Sequence, residues 1–198
     1  MKTIVLASSN RGKINEFNQL VAEFSLQIVP QAEFKVPSVA ETGLSFVENA
    51  LIKARFAAQH TGLPVLADDS GLEVDALQGA PGIYSARFAG EQATDAENNQ
   101  LLLEKLTEIS EARRTARYQC VIVLLRHAAD PTPLICQGTW SGLITLAPRG
   151  TLGFGYDPYF YVPTHQCTAA ELPSEIKNQI SHRALAFQQF KNYVAQTI

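Results

Sequence analysis

Apolar positions fall along this chain in two rhythms. "TIVLA" (Thr3 to Ala7) is a continuous apolar run, the pattern of a strand buried on both faces. The polar stretch "SSNRGK" follows. From Gly12 to Phe24 the apolar residues Ile14, Phe17, Leu20, Val21 and Phe24 recur at helical spacing, which predicts a helix. "LQIVPQ" reads as a second short strand, and "FKVPSVAETG" as a loop broken by Pro37. The best helix is "SFVENALIKARFAAQHTG". Ser45 and Glu48 have capping-box spacing, Gly62 suits the C-terminal cap, and Val47, Leu51, Ala54 and Ala58 form one apolar stripe.

The next strand, Val65 to Ala67, runs into Asp68 and stops. A short apolar run follows with its own acids, Glu73 and Asp75, which belong to a further strand. Gln78 to Gln92 is rich in glycine and reads as a long loop, of the kind that often carries function. "TDAENNQLLLEKLTEI" is another capped helix, with Thr94 and Glu97 as its box. "ARYQCVIVLLRH" and "LICQGTWSGLITLAP", separated by the turn signal "AADPTP", predict an antiparallel pair. A short helix, a break at Pro173 and a closing helix from about Ser181 finish the chain. The βα openings together with a hairpin predict an α/β fold on a mixed sheet.

The chain has 198 residues, which suits a single domain over 1–198, with room for a small second lobe. A net charge of −3 argues against a life on duplex nucleic acid or an acidic membrane, although a small anion needs only a local cluster of cations. The three cysteines, Cys120, Cys136 and Cys167, fit neither a disulfide framework nor a zinc site. Cys120 and Cys136 fall in strand patterns as small core hydrophobes. No signal segment or membrane-length apolar run is present, so a reducing cytoplasm is the expected compartment.

Four stretches carry candidate chemistry. In "ASSNRGK" a strand runs through a polar turn into a helix start. That gathers backbone N–H groups with Ser8, Ser9, Asn10, Arg11, Gly12 and Lys13, so it is either an anion site or an ordinary helix N-terminus. A Walker A pattern is absent, because the first glycine is missing and Lys13 is followed by Ile14. In "LADDSG" the two acids are either turn residues capping their own backbone or part of a site. Magnesium takes hard oxygens and often only one or two protein carboxylates, so Glu41 and Asp69 would be sufficient.

Lys53 on the capped helix, and Lys177, His182 and Arg183 in "IKNQISHR", supply further cations. His182 and Arg183 fall in the first turn of a helix, where a cation opposes the dipole and needs a compensating anion or acceptor. In "GFGYDP" the glycines let backbone approach a ligand. Phe154 and Tyr156 offer faces for stacking a base, the alternative being an aromatic core strand with glycine bulges.

"SSNRGK", "ETGLSFVENALIKA", "ADDSGLEVDALQGAPGIYSARFAG", "GFGYDP" and "ISHR" occur here in the order and spacing of the non-standard purine nucleoside triphosphate pyrophosphatases. The chain resembles this inosine/xanthosine triphosphate pyrophosphatase family from Ser8 to Arg183. The resemblance implies an elongated mixed sheet flanked by helices, in two lobes with a central active-site groove, and a homodimer. It implies Mg²⁺-dependent hydrolysis of ITP, dITP and XTP to the monophosphate and pyrophosphate.

Carried over by position, Ser8 to Lys13 match the phosphate loop and Lys53 a phosphate-side lysine. Asp69 matches the general base and metal ligand, and Ser70 a substrate contact. Phe154, Gly155, Tyr156, Asp157, Lys177, His182 and Arg183 match nucleotide contacts around the base. Many members carry two acids before "TG", whereas this chain has Ala40-Glu41; if the first acid is a metal ligand in those members, that role is missing here or falls to Glu41, which is taken as the second metal ligand. Two rivals predict different behaviour: a Maf-type pyrophosphatase for other modified nucleotides, and a nucleotide sensor without turnover.

Overall fold

The computed structural model describes residues 2–21 and 26–197. In chain order the strands are β1 (Lys2–Leu6), β2 (Leu26–Pro30), β3 (Val65–Val74), β4 (Thr115–Leu125), β5 (Leu134–Ile144), β6 (Phe160–Val162) and β7 (Cys167–Thr168). The helices are α1 (Arg11–Val21), α2 (Phe46–Thr61), α3 (Asp95–Leu106), α4 (Ser174–Ile180) and α5 (His182–Thr197). The strands form one open sheet in the order β2-β1-β3-β4-β5-β6-β7. β1 pairs parallel with β2 and β3, whereas β6 pairs antiparallel with β5 and β7, so the sheet is mixed as expected. No helix among the described residues is long and apolar enough to cross a membrane.

The chain divides into two compact units. The first comprises Met1–Asp69, Cys120–Gly138 and Arg183–Ile198. The alternation of its strands sorts two cores onto opposite faces. Ile4, Leu6, Leu66, Cys120, Ile122 and Cys136 pack against Phe17 of α1 and Phe187 and Phe190 of α5. Val5, Ala7, Val65, Ala67, Val121 and Val123 pack against α2. Each fully buried large side chain contributes about 1.5–3 kcal/mol.

The buried stripe of α2 is Ala50, Ala54, Ala57 and Ala58; Val47 and Leu51 are only half-buried. Small side chains let the helix approach the sheet closely, which a reading weighted to bulky residues misses. Ser45 Oγ accepts from Glu48 N–H at 3.4 Å, and Glu48 returns by accepting from Leu44 N–H at 2.8 Å. Gly62, at φ +66°, ends the helix in the left-handed region.

The second unit comprises Ser70–Gln119 and Thr139–His182. Its core joins Leu72 and Val74 of β3, Leu102 and Leu106 of α3, Tyr118, Trp140, Tyr156 and Phe160. Thr94 and Glu97 form both hydrogen bonds of the expected box at the start of α3.

Several boundaries differ from the sequence reading. β3 does not end at Asp68; it runs on through Asp69, Ser70 and Gly71 to Val74, because Leu72 and Val74 bury beyond the acids. The acids are therefore strand residues and not a turn. The loop from Gln78 to Gln92 contains a 3-10 turn, Gly82–Arg87. α4 follows Pro173 directly, so two helices close the chain after that proline. Phe24, expected in the first helix, lies outside the described residues.

Candidate functional site

In the first unit, β1 leads through Ala7–Asn10 into α1. Asn10 Oδ1 accepts from Lys13 N–H at 3.1 Å, and Ser8 Oγ accepts from Asn10 N–H at 3.3 Å. Two oxygens of the loop are thus spent on shaping the turn and capping α1. Ser8 is buried, Ser9 and Asn10 are exposed, and Gly12 is half-buried. Arg11 opens α1, and its side chain lies outside what the structure describes.

The two acids of β3 separate. Asp68, 1% exposed, receives Lys13 Nζ at 2.9 Å and Arg183 at 3.8 Å. Burial opposes its ionisation, but Lys13, Arg183 and Lys53 outweigh burial and hold the carboxyl at about 2. Arg183, 2% exposed, also pairs with Glu16 of α1. Its burial disfavours charge, yet Glu16 and Asp68 more than offset this and keep it a cation. These are the compensating anions that its place at the start of α5 requires.

Asp69 faces a different cluster. Lys53 Nζ lies 3.2 Å from Asp69 Oδ1 and 2.9 Å from Glu41 Oε1, so one ammonium bridges both carboxylates. Burial raises the Asp69 pKa above its ordinary value, and the charges of Lys53 and Lys13 only partly offset it. For Lys53, burial opposes its charge, but Asp69, Asp68 and Glu41 together raise its pKa. Asp69 Oδ2 is buried without a hydrogen-bond partner. The loop behind Glu41 docks on α2, where Asn49 Oδ1 accepts from Gly43 N–H at 2.8 Å. A Cβ on Gly43 would come within 2.5 Å of Glu48 Cβ, so only glycine allows this approach.

Glu41 and Asp69 offer hard oxygens, and the orphaned Oδ2 suits a divalent cation. Among the described residues no three His, Cys, Asp or Glu side chains gather as a metal cage, so such a cation would draw its remaining ligands from water and phosphate.

In the second unit, Asp157 is a buried hub. It accepts from Lys177 Nζ at 2.7 Å, from Phe154 N–H at 3.0 Å and from the Tyr118 hydroxyl at 3.3 Å. Lys177 Nζ also stands 5.3 Å from the Phe154 ring centroid. Phe154 and Gly155 are half-buried. His182 is stacked on Tyr118, with ring centroids 4.7 Å apart and planes within 13°. Ser70 is half-buried on β3.

Two features differ from the sequence reading. Tyr156 offers no open face for a base: it is 4% exposed, in the core, and its hydroxyl donates to the Ser85 carbonyl at 2.7 Å. Phe154 is the remaining ring of that loop. The neighbours His182 and Arg183 part company, the first stacking among aromatics of the second unit and the second ion-pairing within the first unit.

Sequence reasoning missed Glu16 and Tyr118. Glu16 had a weak signal, standing three residues after Lys13 on one helix face. Tyr118 had none. Burial raises the Cys120 thiol to about 12 and the Cys136 thiol to about 11, which keeps both protonated.

Comparison with known proteins adds to this geometry. The model of the Ham1 family matches residues 4–193. A dITP/XTP pyrophosphatase of Vibrio cholerae is 56% identical over 188 residues, which cover 95% of this chain and 94% of that protein. A dITP/XTP pyrophosphatase of Escherichia coli strain K12 is also 56% identical over 188 residues, with 95% of each chain covered. The solved structure of a HAM1 protein from Coxiella burnetii superposes with a TM-score of 0.93 at 52% identity, over 100% of both chains.

Proposed function

This chain belongs to the Ham1 family and hydrolyses non-standard nucleoside triphosphates at a phosphoanhydride bond, and we propose that its substrates are ITP, dITP and XTP. The products are the nucleoside monophosphate and pyrophosphate. The observation that carries this reading is Asp69. It is a buried carboxylate with a raised pKa, one oxygen held by Lys53 and the other without a partner. A carboxylate so placed accepts a proton from water more readily than an exposed one.

In this reading Asp69 orients and deprotonates the attacking water. Lys53 releases part of its grip on Glu41 and Asp69 to meet phosphate oxygens, and Lys13 adds positive charge from the start of α1. Backbone N–H groups at the α1 N-terminus favour the same anion. Glu41 and Asp69 would hold Mg²⁺, which when bound neutralises phosphate charge and polarises the phosphoryl group. Phe154 stacks the base, and Lys177 and His182 supply donors that favour a 6-oxo purine over adenine. Arg183 acts through Asp68 and Glu16.

The free thiols fit a reducing cytoplasm, where this activity would clear the nucleotide precursor pool as a homodimer. Purified protein with Mg²⁺ and dITP should release pyrophosphate and dIMP. Stepwise release of inorganic phosphate would overturn the reaction class. A panel of ITP, XTP, dITP, GTP, ATP and methylated pyrimidine triphosphates tests the base preference. Chromatography with light scattering tests the dimer.

A further inference from the structure

The capped helix α3 has no part in the reaction proposed above, yet its first turns are tied to the loop that carries Phe154. Asp95 Oδ2 accepts from the Gly155 N–H at 2.7 Å. Asn99 Nδ2 donates to the Gly155 carbonyl at 2.9 Å. Asp95 and Asn99 are four residues apart on one helix, so both stand on the same face. Together they hold both polar groups of a single residue. That residue, Gly155, sits at φ +62°, where glycine is at ease and its backbone is otherwise most free.

A cleft of about 750 Å³ opens there, lined by Asp95, Asn99, Leu103, Gly153, Phe154 and Gly155. The two hydrogen bonds run along the wall of this cleft. On the other side Asp157 Oδ2 accepts from the Phe154 N–H at 3.0 Å. The backbone of Phe154 and Gly155 is held by four hydrogen bonds, the fourth from Asp157 N–H to the Phe154 carbonyl at 3.3 Å, and two of the four come from α3.

We propose that Asp95 and Asn99 are positioning residues that set the Phe154 ring for the purine. This rests on the reading of Phe154 as the base-stacking residue. Neither Asp95 nor Asn99 touches substrate. They order the loop before binding, so that ordering is not charged against affinity.

The test is steady-state kinetics on dITP for Asn99→Ala, Asp95→Ala, Asp95→Asn and, as reference, Phe154→Ala, with melting temperatures of all four. Phe154→Ala should raise KM about tenfold or more, the size of a lost base–aromatic stack. Asn99→Ala and Asp95→Ala should each raise KM about two- to tenfold with kcat kept, as one lost hydrogen bond implies. Asp95→Asn retains a carbonyl acceptor for Gly155 N–H and should restore KM.

If Phe154→Ala raises KM but the α3 variants keep the native KM, the positioning role is overturned and the stacking reading survives. A fall in melting temperature without a change in KM overturns the positioning role as well, leaving α3 a purely structural support. If Phe154→Ala leaves KM unchanged, both ideas fall. If Asp95→Asn behaves as Asp95→Ala, the hydrogen bond to Gly155 is not what Asp95 contributes.

Discussion

Asp68 and Asp69 are consecutive on β3 and face different lysines, Lys13 at 2.9 Å and Lys53 at 3.2 Å. Strand alternation sends their side chains to opposite faces, and the two environments push their pKa values in opposite directions. Asp68 is kept ionised by Lys13 and Arg183. Asp68→Asn takes the carboxylate from Lys13 and leaves Arg183 with Glu16 alone, and the fold should lose about 3–5 kcal/mol. Urea denaturation at pH 7 measures this, and an unchanged midpoint would show that the pairing carries no stability.

Asp69→Asn should behave in the opposite way. Ionising a buried carboxylate whose pKa is raised costs the folded state free energy at neutral pH, so removing its charge should leave stability level or higher. Turnover of dITP should fall about 10²- to 10⁴-fold, the usual contribution of a general base. Binding of ITP, followed by calorimetry, should persist. Retained turnover removes Asp69 from the chemistry.

Lys53 occupies the place of a cation among Glu41 and Asp69. Lys53→Met should therefore tighten Mn²⁺ or Mg²⁺ binding to the nucleotide-free protein several-fold, because the metal no longer displaces an ammonium. Calorimetric titration checks this. Weaker metal binding would mean that the cation does not use these two carboxylates.

Arg183→Lys should not rescue Arg183→Ala. A planar guanidinium with several donors meets Glu16 and Asp68 together, whereas an ammonium offers one point charge. Both variants should melt well below the native protein. A native melting temperature with an altered ITP-to-ATP rate ratio would instead make Arg183 a reader of the base.

Asp130 supplies the pH dependence of the turn after β4. Its carboxylate accepts from the Arg126 side chain, from Arg126 N–H at 2.9 Å and from Thr132 N–H at 3.0 Å. The Arg126 side-chain hydrogen bonds first, against some cost of burial, hold its pKa well below the usual carboxylate range. A depressed folded pKa gives stability that is complete above the unfolded value of about 3.9 and is lost as pH falls through the folded value. Asp130→Asn should thus destabilise the protein at pH 7 and matter progressively less below about pH 4. An equal loss at both pH values would assign the effect to shape and not to charge.

What was legible in the residues was local. The ends of α2 and α3 could be read because Ser45, Glu48, Gly62, Thr94 and Glu97 act within one helical turn of themselves. The run from Thr3 to Ala7 announced a doubly buried strand, since burial on both faces leaves no polar alternation. Motif order carried the family, because five short stretches had to agree at once.

Tertiary structure decided the partners. Lys13 of α1 meets Asp68 of β3, and Lys177 of α4 meets Asp157 in the loop before β6, and no local rule chooses one carboxylate over another at such separations. It also decided that β3 continues past its acids, that Tyr156 is core while Phe154 is not, and that α3 reaches Gly155. A side chain's neighbours follow from how sheet and helices pack, and that packing is fixed by the sum of many weak contacts along the whole chain.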